Sequence, residues 1–323
     1  MKLAASFVLC LLWSLADAAP TPLSRLEHLS IGGREYVRLS DWARSNGFRA
    51  SWISKQEFRL SNSVARLGFT ANSQRMTVNG VSVYLSAPVA QQGTAACIAL
   101  VDVQTALQPL LWPRRTGPRG NLICLDPGHG GKDTGNREGS RFEKDYTLAL
   151  ARELSSQLRQ AGYKVFLTRS RDTFVDLDER IDSAARGGAN LFVSLHFNAA
   201  SSEVCGSEVY CLTPARTAST NARGEGAGTG TLAGNLQNEG NVQLAYQIQR
   251  ALTGQLGLAD RGVRRARWAV LRKAQIPAVL VEGGFMSNPA EMKKISSAAW
   301  RRQLAQALLE GIKNYQIVTT ARK

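Results

Sequence analysis

The sequence predicts an α/β protein with a mostly parallel sheet and helices on both faces, plus a smaller β-rich N-terminal domain. From residue 121 onward, short apolar runs alternate with amphipathic helical patterns, which is typical of an α/β sheet covered by helices. Residues 23–111 instead contain short strand-like runs, and WPRRTGPRGN at residues 112–121 has the composition of a linker. The predicted divisions are an accessory domain over 19–111, a linker over 112–120 and a larger domain over 121–318.

The first eighteen residues have the pattern of an export signal. Lys2 gives a positive start, residues 3–15 are mostly apolar, and Ala16-Asp17-Ala18 supplies the small residues of a cleavage site. The apolar stretch is too short to span a membrane comfortably. We predict a signal peptide over residues 1–18, an exported protein in the periplasm or at the cell wall, and no integral membrane segment after cleavage.

The net charge of +15 predicts an anionic partner, such as a cell-wall polymer, lipid headgroups or nucleic acid. Removing residues 1–18 takes away one lysine and one aspartate, so the charge of the mature chain is the same. The sequence contains none of the common RNA- or DNA-binding motifs, and we expect no nucleic-acid partner. Charge alone does not choose between the remaining partners.

The first block has the turn signals of a small β-rich domain. A short strand around Tyr36 precedes a helix that we expect to begin at Ser40 and to end before Gly47. Asn79-Gly80 lies between two β-rich runs and predicts a hairpin. The other strand-like runs are 57–61, 65–69 and 76–85, and residues 98–110 predict a strand that leads into a helix.

Two segments of this block, YVRLSDWA and MTVNGVSVYL, resemble the copper amine oxidase N-terminal-like modules that occur beside cell-wall enzymes. The name of these modules implies no copper here, because the block has no cluster of ligand-type side chains. The resemblance implies an accessory or wall-associating module, and a plain spacer is the alternative.

The second block alternates strands and helices. Helices are expected over 143–161, 176–186, 242–256 and 298–315, and strands over 122–125, 164–168, 190–195, 207–212, 268–271 and 278–282. Residues 214–241 interrupt the pattern with six glycines and four asparagines, which predicts either a functional loop or a mobile insertion. Cys205 and Cys211 can form a disulfide only if the chain bends between them, because extended residues six apart lie roughly 20 Å apart.

The segment LICLDPGHGGKDTG at residues 122–135 carries the first candidate site residue. Four apolar residues predict a buried strand, and the glycines around His129 permit a tight turn directly after it. Open α/β sheets bind ligands where their strands end, and neutral imidazole is the commonest metal ligand among side chains. His129 alone is equally compatible with a hydrogen-bonded loop residue.

Three further polar residues accompany His129. His196 follows a buried strand in LFVSLHFNA, Glu143 starts the first predicted helix, and Glu282 ends the apolar strand AVLVE. Two histidines and one carboxylate form a typical catalytic zinc site, and a second carboxylate could then act as general base. The alternatives are that Glu143 only stabilises a helix N-terminus and that Glu282 pairs with an arginine.

DPGHGGKDTG, Glu143 in FEKD, SLHFNA and VLVEGGFMSNP resemble, in this order, the motifs of the zinc-dependent N-acetylmuramoyl-L-alanine amidases. The resemblance covers about residues 121–316. It implies that His129, Glu143 and His196 bind Zn²⁺ and that Glu282 is the catalytic acid and base. It further implies hydrolysis of the amide bond between N-acetylmuramic acid and L-alanine in peptidoglycan, for cell-wall remodelling or daughter-cell separation.

The sequence departs from the family pattern at Asn198, where aspartate is often found, and at Gly283, where threonine is common. Neither change affects a proposed ligand, so the changes bear on fine specificity and not on the chemistry. Regulated members of the family carry a helical insertion that blocks the site, and residues 214–241 do not have the pattern of such a helix. The sequence identifies no activator protein.

Two other functions fit part of this pattern. Another zinc peptidase or amidohydrolase would use the same hydrolytic groups, and product analysis distinguishes it because muramoyl cleavage frees the amino group of L-alanine. A non-catalytic wall-binding protein could keep the same fold. Binding alone, however, requires none of the four polar residues.

Overall fold

The computed structural model describes residues 19–115, 120–221, 226, 228 and 230–320. The predicted signal peptide lies outside the described residues, as do residues 116–119 of the predicted linker. Within the described part of the chain, no helix is long and apolar enough to cross a membrane. We call residues 19–115 the first region and residues 120–320 the second region.

The first region contains short strands and a few helical turns. These elements are β1 (Leu29–Ile31), β2 (Arg34–Arg38), α1 (Leu39–Ser45), β3 (Arg49–Trp52), β4 (Glu57–Ser61), β5 (Arg66–Thr70), β6 (Arg75–Val78), β7 (Val81–Tyr84), β8 (Ala90–Gln92), β9 (Ala95–Ala99), α2 (Leu100–Asp102), a π-helical turn (Val103–Leu107) and α3 (Gln108–Leu111). A 3-10 turn (Leu23–Arg25) precedes them.

The second region alternates strands with longer helices. Its elements are β10 (Leu122–Pro127), β11 (Arg137–Glu138), β12 (Arg141–Phe142), α4 (Glu143–Gln160), β13 (Lys164–Leu167), α5 (Leu177–Arg186), β14 (Leu191–Asn198), β15 (Ser207–Leu212), a 3-10 turn (Ala233–Gln237), α6 (Asn238–Leu256), β16 (Asp260–Ala266), α7 (Ala269–Arg272), β17 (Ala278–Phe285), α8 (Pro289–Ser296) and α9 (Ala298–Thr319).

One large mixed sheet runs through both regions in the order β13-β10-β14-β17-β15-β16-β7-β6-β5-β4-β3. The strands from β13 to β17 are parallel, β15 is antiparallel to β17, and β15, β16 and β7 are again parallel. From β7 to β3 every pairing is antiparallel. The α/β class is confirmed, but the prediction of a mostly parallel sheet is wrong.

The reversal at β15 has a simple physical cause. Only residues 199–206 connect β14 to β15, whereas a parallel crossover needs a dozen or more residues. The chain therefore turns back, and β15 lies antiparallel to β17. In the first region, hairpins produce the antiparallel pairings, and the hairpin predicted at Asn79-Gly80 is confirmed by the pairing of Val78 with Val81.

Helices cover both faces of the sheet in the second region. Successive strand residues point to opposite faces, so each face presents apolar side chains to a layer of helices. Buried residues of α4, α6 and α9 form one cluster with Ile123 and Val193. Buried residues of α5 and α7 form another with Phe192 and Leu280. The first cluster also includes first-region residues such as Val83, so the apolar core is continuous between the regions.

The two regions meet where β7 lies beside β16. Val83 pairs with Val263, and the backbone N–H of Ser82 donates a 2.7 Å hydrogen bond to Oδ2 of Asp260. The predicted domain boundaries remain a prediction. The strands on either side of the predicted linker nevertheless pair within one continuous sheet.

Several local predictions are wrong. Residues 268–271 were predicted to be a strand, but most of them belong to helix α7, because a short apolar run does not distinguish a helix from a strand. Strand β16 was not predicted at all. Helix α6 begins at Asn238, inside the predicted loop 214–241, of which residues 222–225, 227 and 229 lie outside the described part. Cys205 and Cys211 are both free.

Candidate metal centre

His129 lies on a turn at the carboxyl end of β10. Its backbone φ is 61°, in the left-handed region that non-glycine residues seldom adopt. The peptide groups of Gly130 and Asp133 close the turn with hydrogen bonds in both directions, 2.8 and 3.1 Å long. These bonds hold a backbone conformation that is unfavourable by itself, and such conformations are concentrated at functional sites.

Two glycines leave space for the imidazole rings. A Cβ atom on Gly128 would lie 2.2 Å from Cε1 of His196, and one on Gly135 would lie 2.5 Å from Cδ2 of His129. Both distances are far below van der Waals contact, so a larger residue at either position would displace a histidine ring. These glycines are therefore required for the close approach of backbone and ring.

His129, Glu143 and His196 come together beside these glycines. Nε2 of His129 lies 3.1 Å from Oε2 of Glu143, and Nδ1 of His196 lies 3.0 Å from Oε1 of the same carboxylate. The two ring centroids are 4.9 Å apart. One potential ligand atom from each of the three residues lies within 4.8 Å of the other two. Two imidazole nitrogens and one carboxylate oxygen are therefore close enough to bind the same metal ion.

Glu143 is the first residue of α4 and is almost fully buried. Its carboxylate also accepts hydrogen bonds from the backbone N–H groups of Asn136, at 2.9 Å, and Phe197, at 3.0 Å. Burial alone would raise the pKa of Glu143, but the hydrogen bonds from His129 and His196 hold that pKa far below its usual range. The side chain is therefore ionised, which is the form that binds metals.

Asp133 orients His129 and was missed by the sequence reasoning. Its Oδ2 lies 2.8 Å from Nδ1 of His129, which leaves Nε2 to face Glu143. Burial acts to lower the pKa of His129, but the hydrogen bonds to Glu143 and Asp133 raise it overall. A carboxylate bonded to the second ring nitrogen is typical of histidines that bind metals, and the position of Asp133 inside DPGHGGKDTG was the available signal.

Glu282 lies beside the cluster but is not part of it. It is opposite His196 in the pairing of β14 with β17, and opposite Glu208 in the pairing of β15 with β17. Glu282 is 7% exposed, and among the described residues its Oε2 has no hydrogen-bond partner. Burial, and then the charges of Glu143 and Glu208, raise its pKa well above the usual range. This carboxyl group is therefore well suited to exchange a proton.

Buried arginines support the turn that carries His129. Nη1 of Arg180 lies 2.8 Å from Oδ1 of Asp126, and its Nη2 donates a 2.8 Å hydrogen bond to the carbonyl of His129. Nη2 of Arg169 donates to the carbonyl of Gly128. Sequence reasoning did not identify these arginines, because their partners are backbone carbonyls and a carboxylate distant in sequence.

The model of one protein family, described as N-acetylmuramoyl-L-alanine amidase, matches residues 123–314. This span is more than half of the chain and contains all four candidate residues. The chain belongs to this amidase family. The motifs that indicated the resemblance therefore lie in the part of the chain that the family model covers.

Individual members of the amidase family agree with this assignment. LytC of Bacillus subtilis is 35% identical over 197 residues, which are 61% of this chain and 36% of LytC. AmiA of Escherichia coli K12 is 33% identical over 219 residues, 60% of this chain and 75% of AmiA. Both are named N-acetylmuramoyl-L-alanine amidases. This chain thus spans little more than a third of LytC.

Solved structures show the same fold. The catalytic domain of CwlV, an N-acetylmuramoyl-L-alanine amidase from Bacillus (Paenibacillus) polymyxa, matches with a TM-score of 0.51 and 31% sequence identity. The match covers 61% of this chain and 99% of the CwlV domain. The amidase fold therefore accounts for about three fifths of the chain.

Proposed function

We propose that this protein is a zinc-dependent N-acetylmuramoyl-L-alanine amidase that hydrolyses the amide bond between N-acetylmuramic acid and L-alanine in peptidoglycan. The observation that carries the proposal is the convergence of His129, Glu143 and His196 beside the buried carboxyl group of Glu282. Membership of the amidase family supports it.

The donor atoms fit a zinc ion. Two imidazole nitrogens and one carboxylate are a common protein ligand set of catalytic zinc sites. The carboxylate of Glu143 is buried between the two rings, and a buried anion is normally balanced by a cation. Glu282 adds a second buried carboxyl group with an unpartnered oxygen close by, which a bound cation would also stabilise.

In the proposed mechanism, a bound zinc ion would polarise the amide carbonyl and acidify a water molecule. Glu282 takes a proton from the attacking water and later delivers it to the departing nitrogen of L-alanine. Its burial favours this second step, because a carboxyl group with a raised pKa holds its proton until the nitrogen accepts it. Asp133 keeps the ring of His129 in the required orientation throughout.

The charge and the N-terminal pattern support the proposed substrate and location. Peptidoglycan stem peptides carry carboxylates, which suit a chain with a net charge of +15. We infer that residues 1–18 direct export to the periplasm or the cell wall, where the enzyme acts in wall remodelling or daughter-cell separation. The relatives named above are N-acetylmuramoyl-L-alanine amidases, which supports this role.

The test is hydrolysis of purified peptidoglycan with and without a zinc chelator. We expect new L-alanine amino termini, detected by labelling and mass spectrometry, in the untreated sample, loss of this product with the chelator, and recovery on adding Zn²⁺. A new amino terminus on a residue other than L-alanine would indicate a different zinc peptidase. Binding to the wall without any cleavage would indicate a non-catalytic wall-binding protein, and either result would overturn the proposal.

A further inference from the structure

A row of polar side chains crosses five neighbouring strands, from the metal centre to the first region. The strands are β14, β17, β15, β16 and β7. His196, Glu282 and Glu208 are direct neighbours in the pairings of the first three strands. Residues directly opposite each other in a sheet project from the same face, so Glu208 lies beside Glu282 on the side away from the metal centre.

Glu208 is a buried carboxylate held by side chains of β15 and β16, and Nδ2 of Asn198 in β14 donates a further 3.4 Å hydrogen bond to its Oε2. Its Oε1 lies 2.7 Å from Nε of Arg261 and 3.4 Å from Nε of Arg264, and its Oε2 accepts a 2.6 Å hydrogen bond from the hydroxyl of Tyr210. Its side chain is 4% exposed. A buried charge of this kind keeps its position only while its partners stay in place.

Arg264 is in turn held by the first region. Its guanidinium lies over the ring of Tyr84 in β7, with Cζ 4.2 Å from the ring centroid, which is the geometry of a cation–π contact. Its Nη1 also donates to the carbonyl of Thr220. Tyr84 adjoins Val83, the residue through which β7 pairs with β16, so the ring is fixed to the sheet at the junction of the two regions.

We propose that the first region is part of the catalytic unit, with Tyr84 as a positioning residue that holds Glu282 in place through Arg264 and Glu208. Tyr84 does not touch the metal centre. It lies outside residues 123–314, so the family match predicts no role for it. The inference rests on the proposed function, in which Glu282 transfers the proton.

The physical reason is charge balance beside Glu282. Arg261 and Arg264 neutralise Glu208, and they keep its carboxylate turned toward β16. Without the ring of Tyr84, the guanidinium of Arg264 keeps its hydrogen bonds to the carbonyls of Arg261 and Thr220 but gains room on one face to turn toward solvent. Its hold on Glu208 is then weaker. The carboxylate of Glu208 shifts and repels Glu282, which moves the proton-transferring group away from its working position. The expected consequence is a slower chemical step with unchanged substrate binding.

The experiment compares Tyr84→Ala with Tyr84→Phe in the full-length protein, using a small soluble muramoyl-peptide as substrate. Tyr84→Phe keeps the aromatic ring and should restore wild-type behaviour. The matched control is Trp52→Ala, which removes another half-buried aromatic ring at β3, the far edge of the same sheet. Values of kcat and KM, bound zinc and the melting temperature are measured for each protein.

We expect Tyr84→Ala to lower kcat roughly two- to thirtyfold, the range that corresponds to the loss of one cation–π contact. KM and zinc content should stay unchanged, while Tyr84→Phe and Trp52→Ala keep wild-type kcat. In a Glu208→Gln background, Tyr84→Ala should have no further effect on kcat, because the connection from Tyr84 to Glu282 runs through the carboxylate of Glu208.

Three results would overturn the inference. One is a wild-type kcat in Tyr84→Ala, another is an equal loss in Tyr84→Ala and Trp52→Ala, and the third is an additive loss in the Glu208→Gln background. The activity of the wild-type protein tests the proposed function separately. A wild-type protein that releases no L-alanine amino terminus rejects the proposed function, whereas an active wild type with any of these three results rejects only the role of Tyr84.

Discussion

The two regions share one sheet but use buried charge in different ways. Among residues 19–115, Asp102 is the one charged side chain that is buried, and its carboxylate accepts hydrogen bonds from the backbone N–H groups of Ser86 and Ala87. In the second region, Glu143 at the start of α4 and Glu282 in β17 are both buried, and the charge of Glu143 acts to raise the pKa of Glu282.

This difference separates structural from chemical use of a charge. The hydrogen bonds that Asp102 accepts from two backbone N–H groups hold a loop in place. Carboxylates that lie close to one another are unfavourable for stability, and they persist where they bind a metal or exchange protons.

The largest difference between the regions should come from replacing their histidines and measuring zinc affinity. His129→Ala or His196→Ala removes a direct ligand, so we expect at least a hundredfold loss of zinc affinity, more than the roughly 10–100-fold effect of changing an outer partner. His28→Ala in the first region should leave zinc binding unchanged. Metal analysis after dialysis checks all three variants. Full zinc occupancy in either second-region variant would remove that histidine from the ligand set.

Two buried aspartates should differ in their effect on stability. Asp126→Asn leaves the buried guanidinium of Arg180 without its ion-pair partner, which costs about 3–5 kcal/mol of unfolding free energy. Asp102→Asn breaks no direct ion pair among the described residues and weakens two hydrogen bonds to backbone groups, for about 1–2 kcal/mol. Denaturant unfolding at pH 7 measures both values. Equal losses would contradict the distinction between the regions.

The pH dependence of this loss has a defined sign. Burial alone would raise the pKa of Asp126, but Arg180, Thr168 and Ser194 hold it below the unfolded value of about 3.9. The ion pair therefore stabilises the fold fully above that value, and this stabilisation is lost as the pH falls through the lower pKa of the folded state. The deficit of Asp126→Asn should shrink over the same acid range. A deficit independent of pH would show that the charge of Asp126 is not responsible.

The smallest effect concerns the group that orients His129. Asp133→Ala keeps all three ligands but frees the imidazole to rotate, so we expect zinc affinity to fall roughly 10–100-fold. Asp178→Ala is the matched control, because Asp178 pairs with Lys273 at the surface. Competition with a zinc chelator measures both affinities. An unchanged affinity in Asp133→Ala would mean that the cluster is rigid without this hydrogen bond.

Sequence reasoning grouped most of the candidate residues correctly because they follow a general rule. The carboxyl ends of neighbouring parallel strands meet at one edge of a sheet, and His129 and His196 each lie at such an end. Glu282 ends the third apolar strand of this set and lies beside His196 as a result. The convergence of His129, His196 and Glu282 could therefore be predicted from where apolar runs stop, whereas Glu143 joins them from the start of α4.

The junction between the regions could not be predicted in the same way. Strand β16 has the sequence DRGVRRA, which lacks an apolar run. Arg261 and Arg264 are tolerated inside the sheet because Glu208 and the ring of Tyr84 accept them. Because these partners are distant in sequence, the local sequence pattern does not predict the contacts. The predicted linker also suggested two separate units, whereas the pairing of β7 with β16 joins them.

In the proposed mechanism, Glu282 transfers the proton while His129, Glu143 and His196 hold the zinc ion. The decisive variant is Glu282→Gln, with zinc content and release of L-alanine amino termini measured on the same preparation. We expect a full zinc content and no detectable hydrolysis, because the substitution removes the proton-accepting group and leaves the three proposed ligands intact. Near-normal hydrolysis, or loss of zinc together with activity, would contradict it.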